Sequence, residues 1–272
     1  MTIHNLPRVR NGLAFVLLAA FAVGGCSSEA PSSPASGSAA NVVQSSDAAQ
    51  SAEKEEGPSQ ESLKAYFEAL GSTDPGIAGE AIEMAAPGSN AQAYAIYITA
   101  GIQSNRDAGY SNEPQTVKVI EGGFALCYEG QGEDGCSEYT NIQHEGDQIA
   151  DFDAGGSPLA GRLSLGSGEA QALGSVGEAT MVAAYKSIRG DVVVMFEVSS
   201  ASDGMWITPI YTAPDGRQSQ VSGIAGPTEL NAGAFANYTF TFEGAQFGGE
   251  VRVDAIGGPD AYEEGSATFA TQ

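Results

Sequence analysis

The chain has 272 residues, with 34 Asp and Glu against 11 Lys and Arg, a formal net charge of −23. An acidic surface of this strength repels nucleic acid and anionic lipid headgroups, so neither is expected as a direct partner. Solubility in the envelope or in a salty medium is the plain reading of the acidity, and cation buffering is the alternative.

Leu13 to Cys26 is a short apolar run ending in Val23-Gly24-Gly25-Cys26, with Arg8 and Arg10 ahead of it. A basic start, an apolar centre and small residues before a cleavage point predict a secretory signal over 1–25. The run is too short and too Gly-rich at its end for a transmembrane helix. Val23-Gly24-Gly25-Cys26 resembles the lipobox of bacterial lipoproteins. That resemblance implies that Cys26 is diacylated and becomes the new N-terminus, with the lipid bilayer as its partner on the extracytoplasmic face of the cell membrane. An ordinary signal peptide with a chance cysteine, or an uncleaved anchor, is the alternative. Loss of Arg8 and Arg10, with no acid before Cys26, takes the mature chain to −25.

Residues 26–58 are rich in Ser, Ala, Pro and Gly and carry no hydrophobic periodicity. Such a segment cannot bury enough apolar surface to offset chain entropy, so it reads as a disordered tether. Its root-mean-square reach is about 30 Å as a flexible coil. It reads as a spacer lifting a folded body off the membrane.

In residues 59–162, Leu63, Tyr66, Phe67 and Leu70 form one helical stripe, capped by Ser59 and stopped by Gly71. Asp74-Pro75 opens a second helix through Ala86, where Pro87-Gly88 halts it. Ser89-Asn90-Ala91-Gln92 is a capping box for a third helix with Tyr94, Tyr97, Ile98 and Gly101 on its stripe. The period then changes to two, predicting strands at Thr116–Ile120, Phe124–Tyr128, Ser137–Gln143 and Gln148–Asp153. Helices followed by an antiparallel sheet predict an α+β layer.

Cys127 and Cys136 flank a short loop between two of these strands. In an exported protein they are expected as a disulfide, stabilising by ~2.5–3 kcal/mol through loop closure. A Ca²⁺ site using Glu133, Asp134 and Glu138 is the alternative, though the alternating ligand spacing of a Ca²⁺ loop is missing. No other metal site and no cofactor is expected, because His144 is the single histidine after Cys26. Asp151 and Asp153 share one strand face, as an acid–base pair or as the wet face of an edge strand. His144, beside Glu145-Gly146-Asp147, reads as solvated.

Tyr139, the stretch from His144 to Asp153, Gly155-Gly156 and Pro158-Leu159 together resemble a segment of actinobacterial envelope proteins. In those proteins the segment precedes an immunoglobulin-like domain. The helical part is similar, more distantly, to cone-shaped folds related to nuclear transport factor 2 and to the polyketide-cyclase-like proteins. Cones of this type can carry pockets, which makes Tyr66, Phe67, Tyr94 and Tyr97 the candidate lining of one. The same four rings also suit a helix–sheet core.

Residues 163–272 are strand-like throughout, with runs at Met181–Ile188, Asp191–Val198, Trp206–Tyr211, Tyr238–Phe242 and Val251–Ala255. Short strands with Gly, Pro, Asn and Ser between them predict a β-sandwich. Val192 to Val198 is apolar on most of both faces, a central strand; Tyr238, Phe240 and Phe242 alternate with threonines, a half-wet one. Val192 to Val198, Asp215-Gly216-Arg217, Gly226-Pro227 and Gly248-Gly249-Glu250-Val251 resemble immunoglobulin-like lipoprotein domains of unknown function tethered outside bacterial membranes. Trp206, the one tryptophan, is expected in the core rather than as a ligand platform. No nucleophile–base spacing, phosphate loop or zinc-protease helix is present. The expected activity is therefore non-enzymatic: a binding or accessory module for an envelope or protein partner. An apolar-ligand carrier or enzyme using the cone is the alternative.

Overall fold

The computed structural model describes residues 57–132, 135–258 and 263–272. The predicted signal, Cys26 and nearly all of the tether lie outside the described residues. Among those residues are three helices and fifteen strands, all within one compact unit built on two hydrophobic cores. The class is α+β, with a sandwich-like β part.

The helix ends follow the side chains that can satisfy their free N–H groups. Helix α1 (Gln60–Leu70) starts where Ser59 Oγ accepts from Ser62 N at 3.0 Å. Gly71 ends it, but with φ −80° rather than in the left-handed conformation. Close approach accounts for this glycine: a Cβ would lie 3.1 Å from Leu126 Cδ2 and 3.3 Å from the Gln115 carbonyl. In α2 (Pro75–Met84) Asp74 Oδ1 accepts from Gly76 N at 2.8 Å. This helix stops short of Ala86, because Ala85 turns extended and bridges to Ile149, and Ala86 N donates to the Ile149 carbonyl at 2.8 Å. In α3 (Asn90–Asp107) Ser89 Oγ accepts from Gln92 N, while Gln92 Oε1 reaches past the cap to take Gly88 N.

Strands β1 (Gln115–Ile120), β2 (Gly123–Tyr128), β3 (Cys136–Glu145), β4 (Gln148–Ala154) and β5 (Ser157–Pro158) form an antiparallel meander in sequence order. The helices pack on it over Tyr66, Phe67, Leu70, Tyr94, Phe124, Leu126, Tyr139 and Phe152.

The remaining strands are β6 (Leu163–Leu165), β7 (Gln171–Leu173), β8 (Gly177–Lys186), β9 (Val192–Ser200), β10 (Trp206–Thr212), β11 (Gln218–Gln220), β12 (Gly223–Ala225), β13 (Phe235–Phe242), β14 (Glu250–Gly257) and β15 (Glu263–Ala270). One sheet runs β12-β13-β9-β8-β6, with β7 also on β8; the other runs β11-β10-β14-β15. Val192, Val194, Phe196 and Val198 pair across with Phe242, Phe240, Tyr238 and Ala236, and this face meets Tyr211, Val251, Val253 and Phe269 of the second sheet.

On the opposite face β9 is apolar at Val193 and Met195, as its run predicts, but β13 is not the wet strand that its alternating threonines predict. Helix α3 lies across it. Gly101 sits over Met195, where a Cβ would come within 3.0 Å of the Met195 methyl. Ser104 Oγ hydrogen-bonds Thr239 Oγ1, and Asp107 Oδ2 accepts from Asn237 N (2.7 Å) and Nδ2 (3.0 Å). One helix is thus shared between the small sheet and the sandwich. Arg162 joins them again where the chain crosses over. Its Nε donates to Lys186 O, Nη1 to Ser157 O and Nη2 to the Tyr185 hydroxyl at 2.8 Å.

Candidate functional site

The rings between the helices and the small sheet fill that interior themselves. Tyr66 and Phe67 are fully buried. Phe67 stacks on Phe124 with centroids 4.9 Å apart and meets Tyr66 and Phe152 edge-on. Tyr66 donates its hydroxyl to Ala91 O at 2.8 Å. These two residues are therefore core, not lining. Tyr94 and Tyr97 lie one stripe over on α3 and reach the seam with the sandwich. Tyr94 shares a 3.2 Å hydrogen bond with the Tyr139 hydroxyl, and both α3 tyrosines pack on the Tyr185 ring, at 5.7 and 4.8 Å.

Burial raises the pKa values of this group. It pushes Tyr66, Tyr94 and Tyr97 well above the usual phenol value. Tyr139 is pushed to about 12 by burial, even though its bond with Tyr94 works the other way. All four stay neutral hydroxyls across the physiological range.

Beside Tyr94 and Tyr97 the seam opens into a cleft of about 460 Å³. Helix α3 forms one wall, with Asn105 and Ile102 toward its end. Strands β2 and β3 bring Tyr128, Ser137 and Tyr139; the segment before β1 brings Asn112 and Glu113, and the first residue of β1 is Gln115. Val193, Met195, Thr239 and Thr241 of the sandwich sheet form the floor. The lining contains no Lys, Arg or His. Sequence periodicity marks Tyr94 and Tyr97 but misses Tyr128, Asn112 and Gln115. They sit at strand ends and in a connection, where no pattern shows which side a residue faces.

Trp206 departs from expectation most. It is 57% exposed, outside the core. The alternation of β10 explains why: Ile207, Pro209 and Tyr211 turn inward, so Trp206, Thr208 and Ile210 turn outward. Directly across the ladder stands Ile256, also exposed, and Trp206 Nε1 donates to Glu229 Oε2 at 3.4 Å. Further along this face Arg252 pairs with Asp254 at 2.9 Å. Whereas α3 covers the first sheet, no described segment covers this one.

The other candidate residues are held by structural contacts. Cys127 and Cys136 oppose each other across β2 and β3, with sulfurs 2.06 Å apart in a disulfide. Serine at both positions is expected to lower stability by about 2–3 kcal/mol, read by denaturant unfolding. Asp151 accepts from Asn90 Nδ2 and Asp153 from Asn141 Nδ2, so each carboxylate is bonded to a separate asparagine. His144 is exposed near the β3–β4 turn. Among the described residues no three His, Cys, Asp or Glu converge on a metal-sized site. Glu133 and Asp134 lie outside those residues, as does Cys26. Among the described residues no helix is long and apolar enough to cross a membrane.

Thr99 Oγ1, on α3, is the buried side-chain polar atom without a hydrogen-bond partner among the described residues. Valine there removes an unsatisfied hydroxyl, and a gain of about 1 kcal/mol is expected, measured as a higher Tm.

Comparison with protein-family models, curated proteins and solved structures gives no match to this chain.

Proposed function

We infer that the chain is a lipid-anchored extracytoplasmic lipoprotein that acts as a non-enzymatic binding module for an envelope protein. In this reading a three-helix α+β unit precedes an immunoglobulin-like sandwich. The strand order supports the second part. Strands β8-β9-β13-β12 facing β11-β10-β14-β15 correspond to the A-B-E-D and C′-C-F-G sheets of that architecture. The lipobox resemblance at Cys26 and the polar tether support display away from the bilayer.

One observation carries the binding role. The tryptophan–isoleucine pair Trp206 and Ile256 sits exposed on the outer face of the β11-β10-β14-β15 sheet. Burying a Trp there contributes more than any neighbouring side chain could, and interface hot spots are enriched in Trp. Acidic residues Glu229 and Glu264 flank the pair, which suits a partner with basic residues beside an apolar anchor point. The non-enzymatic part rests on where the acid–base candidates sit: two aspartates each bonded to an asparagine, and a histidine exposed near a hairpin turn.

Crosslinking on intact cells tests this reading. The wild type is expected to capture an envelope protein, and Trp206→Ala to reduce capture at least ~10-fold. Tyr110→Ala, at an exposed site distant in sequence, should leave it unchanged. Equal capture by the wild type and Trp206→Ala refutes the sheet face as the interface. Fatty-acid labelling should mark the wild type and leave Cys26→Ala unlabelled; equal labelling of both refutes the anchor.

A further inference from the structure

We propose that the seam cleft is a second binding site, separate from the sheet face, and that its ligand is a neutral polyhydroxylated molecule: a mono- or disaccharide unit. The volume of about 460 Å³ falls within the range of small-molecule sites (~300–1,000 Å³).

The chemistry of the walls selects the class. An anion has no counter-charge here, since no Lys, Arg or His lines the cleft and the chain carries −23. An apolar ligand would desolvate hydroxyls and amides without giving them partners, an unfavourable exchange for each group. A cation would find one carboxylate, Glu113, among many neutral groups. What the walls offer in quantity is aromatic faces together with neutral donors and acceptors. Among the described residues no hydrogen bond engages the side chains of Tyr128, Ser137, Thr241, Glu113 or Gln115. They remain available to a ligand.

Tyr128 is the expected platform. It is 37% exposed at the rim, directly after Cys127, and the disulfide fixes the backbone on which it stands. The C–H bonds of a sugar ring carry slight positive charge and match the negative face of an aromatic ring. Its hydroxyls can then meet the Gln115 amide and the hydroxyls of Ser137 and Thr241. Both sheets and α3 contribute walls, and the Ser104–Thr239 and Asp107–Asn237 bonds hold the helix to the floor. The site is formed before any ligand arrives, which lowers the entropy cost of binding.

Titrating the full-length protein in detergent with cellobiose, maltose and N,N′-diacetylchitobiose, each separately, tests the proposal. At least one is expected to bind by calorimetry and ligand-observed NMR. Tyr128→Ala and Gln115→Ala should each weaken that binding, Tyr128→Ala by at least ~10-fold. Both positions are at or near the surface, so circular dichroism should match the wild type. Raising the salt about tenfold should change the affinity by less than about twofold, because no charge pairing is involved. Failure of all three sugars to bind overturns the proposal. So does binding that survives both substitutions, or affinity that falls steeply with salt, which an uncharged sugar in a cleft without charge pairing does not explain. Trp206→Ala should leave sugar binding intact; its loss in that variant would place the sugar on the sheet face and overturn the cleft.

Discussion

Phe67→Ala is expected to lower the stability of the folded chain by about 3–5 kcal/mol. A whole domain is stable by only about 5–15 kcal/mol, so this single change could leave much of the population unfolded. Phe67 is fully buried, and its ring touches four others: Tyr66, Phe124, Tyr139 and Phe152, with centroids between 4.9 and 5.7 Å. Removing it takes away its own transfer free energy and leaves a void that those rings cannot collapse to fill. Phe67→Leu should cost less, since most of the volume stays. Denaturant unfolding measures both. The outcome bears on function, because a loss below ~1 kcal/mol would mean that the interior between the helices and the small sheet is loosely filled. A loose interior would favour the apolar-carrier alternative over the sheet-face reading.

Much of the helical half is readable from local chemistry. Ser59, Asp74 and Ser89 act as caps because a short side-chain oxygen reaches free N–H groups within the next few residues, and that requires no tertiary information. The stripe Tyr66, Phe67 and Leu70 is buried for a similarly local reason, its spacing on the helix. Local pattern fails where one element serves two neighbours. Past Gly101, which the stripe already includes, α3 carries Ser104 and Asp107, and these look solvent-facing in isolation. They are small and polar because the helix must come close to Met195 and bond Thr239 and Asn237. For the same reason the threonines of β13 look wet and are partly covered. Strand β15 (Glu263–Ala270) escapes prediction because only Ala267 and Phe269 point inward along a polar run. Trp206 shows the limit most plainly: composition alone favours burial of the one tryptophan, and strand parity decides otherwise.

The buried hydroxyls of the tyrosine cluster set a second large effect, an alkaline limit on the fold. In the unfolded chain each tyrosine titrates near ~10. In the folded chain Tyr139 titrates at about 12, and burial holds Tyr66, Tyr94 and Tyr97 well above the ordinary value. A folded-state value above the unfolded one means that the native protein keeps protons the unfolded chain has released. The stabilising contribution is therefore complete below pH ~10 and declines as pH rises above it, by about 1.4 kcal/mol per pH unit for each group. Four such groups acting together withdraw on the order of 5 kcal/mol by the first pH unit above that point, comparable to the whole stability of a domain. Unfolding is therefore expected between pH ~10 and ~12. The near-ultraviolet rise of tyrosinate should coincide with the loss of circular dichroism in one cooperative step. Tyr97→Phe removes one of these protons, and no hydrogen bond engages its hydroxyl among the described residues, so the midpoint should move to higher pH. If the tyrosines instead ionise near their ordinary value while the protein stays folded, water already reaches the rings. The cleft would then extend inward past Tyr94, and Tyr66 and Phe67 would return as pocket residues.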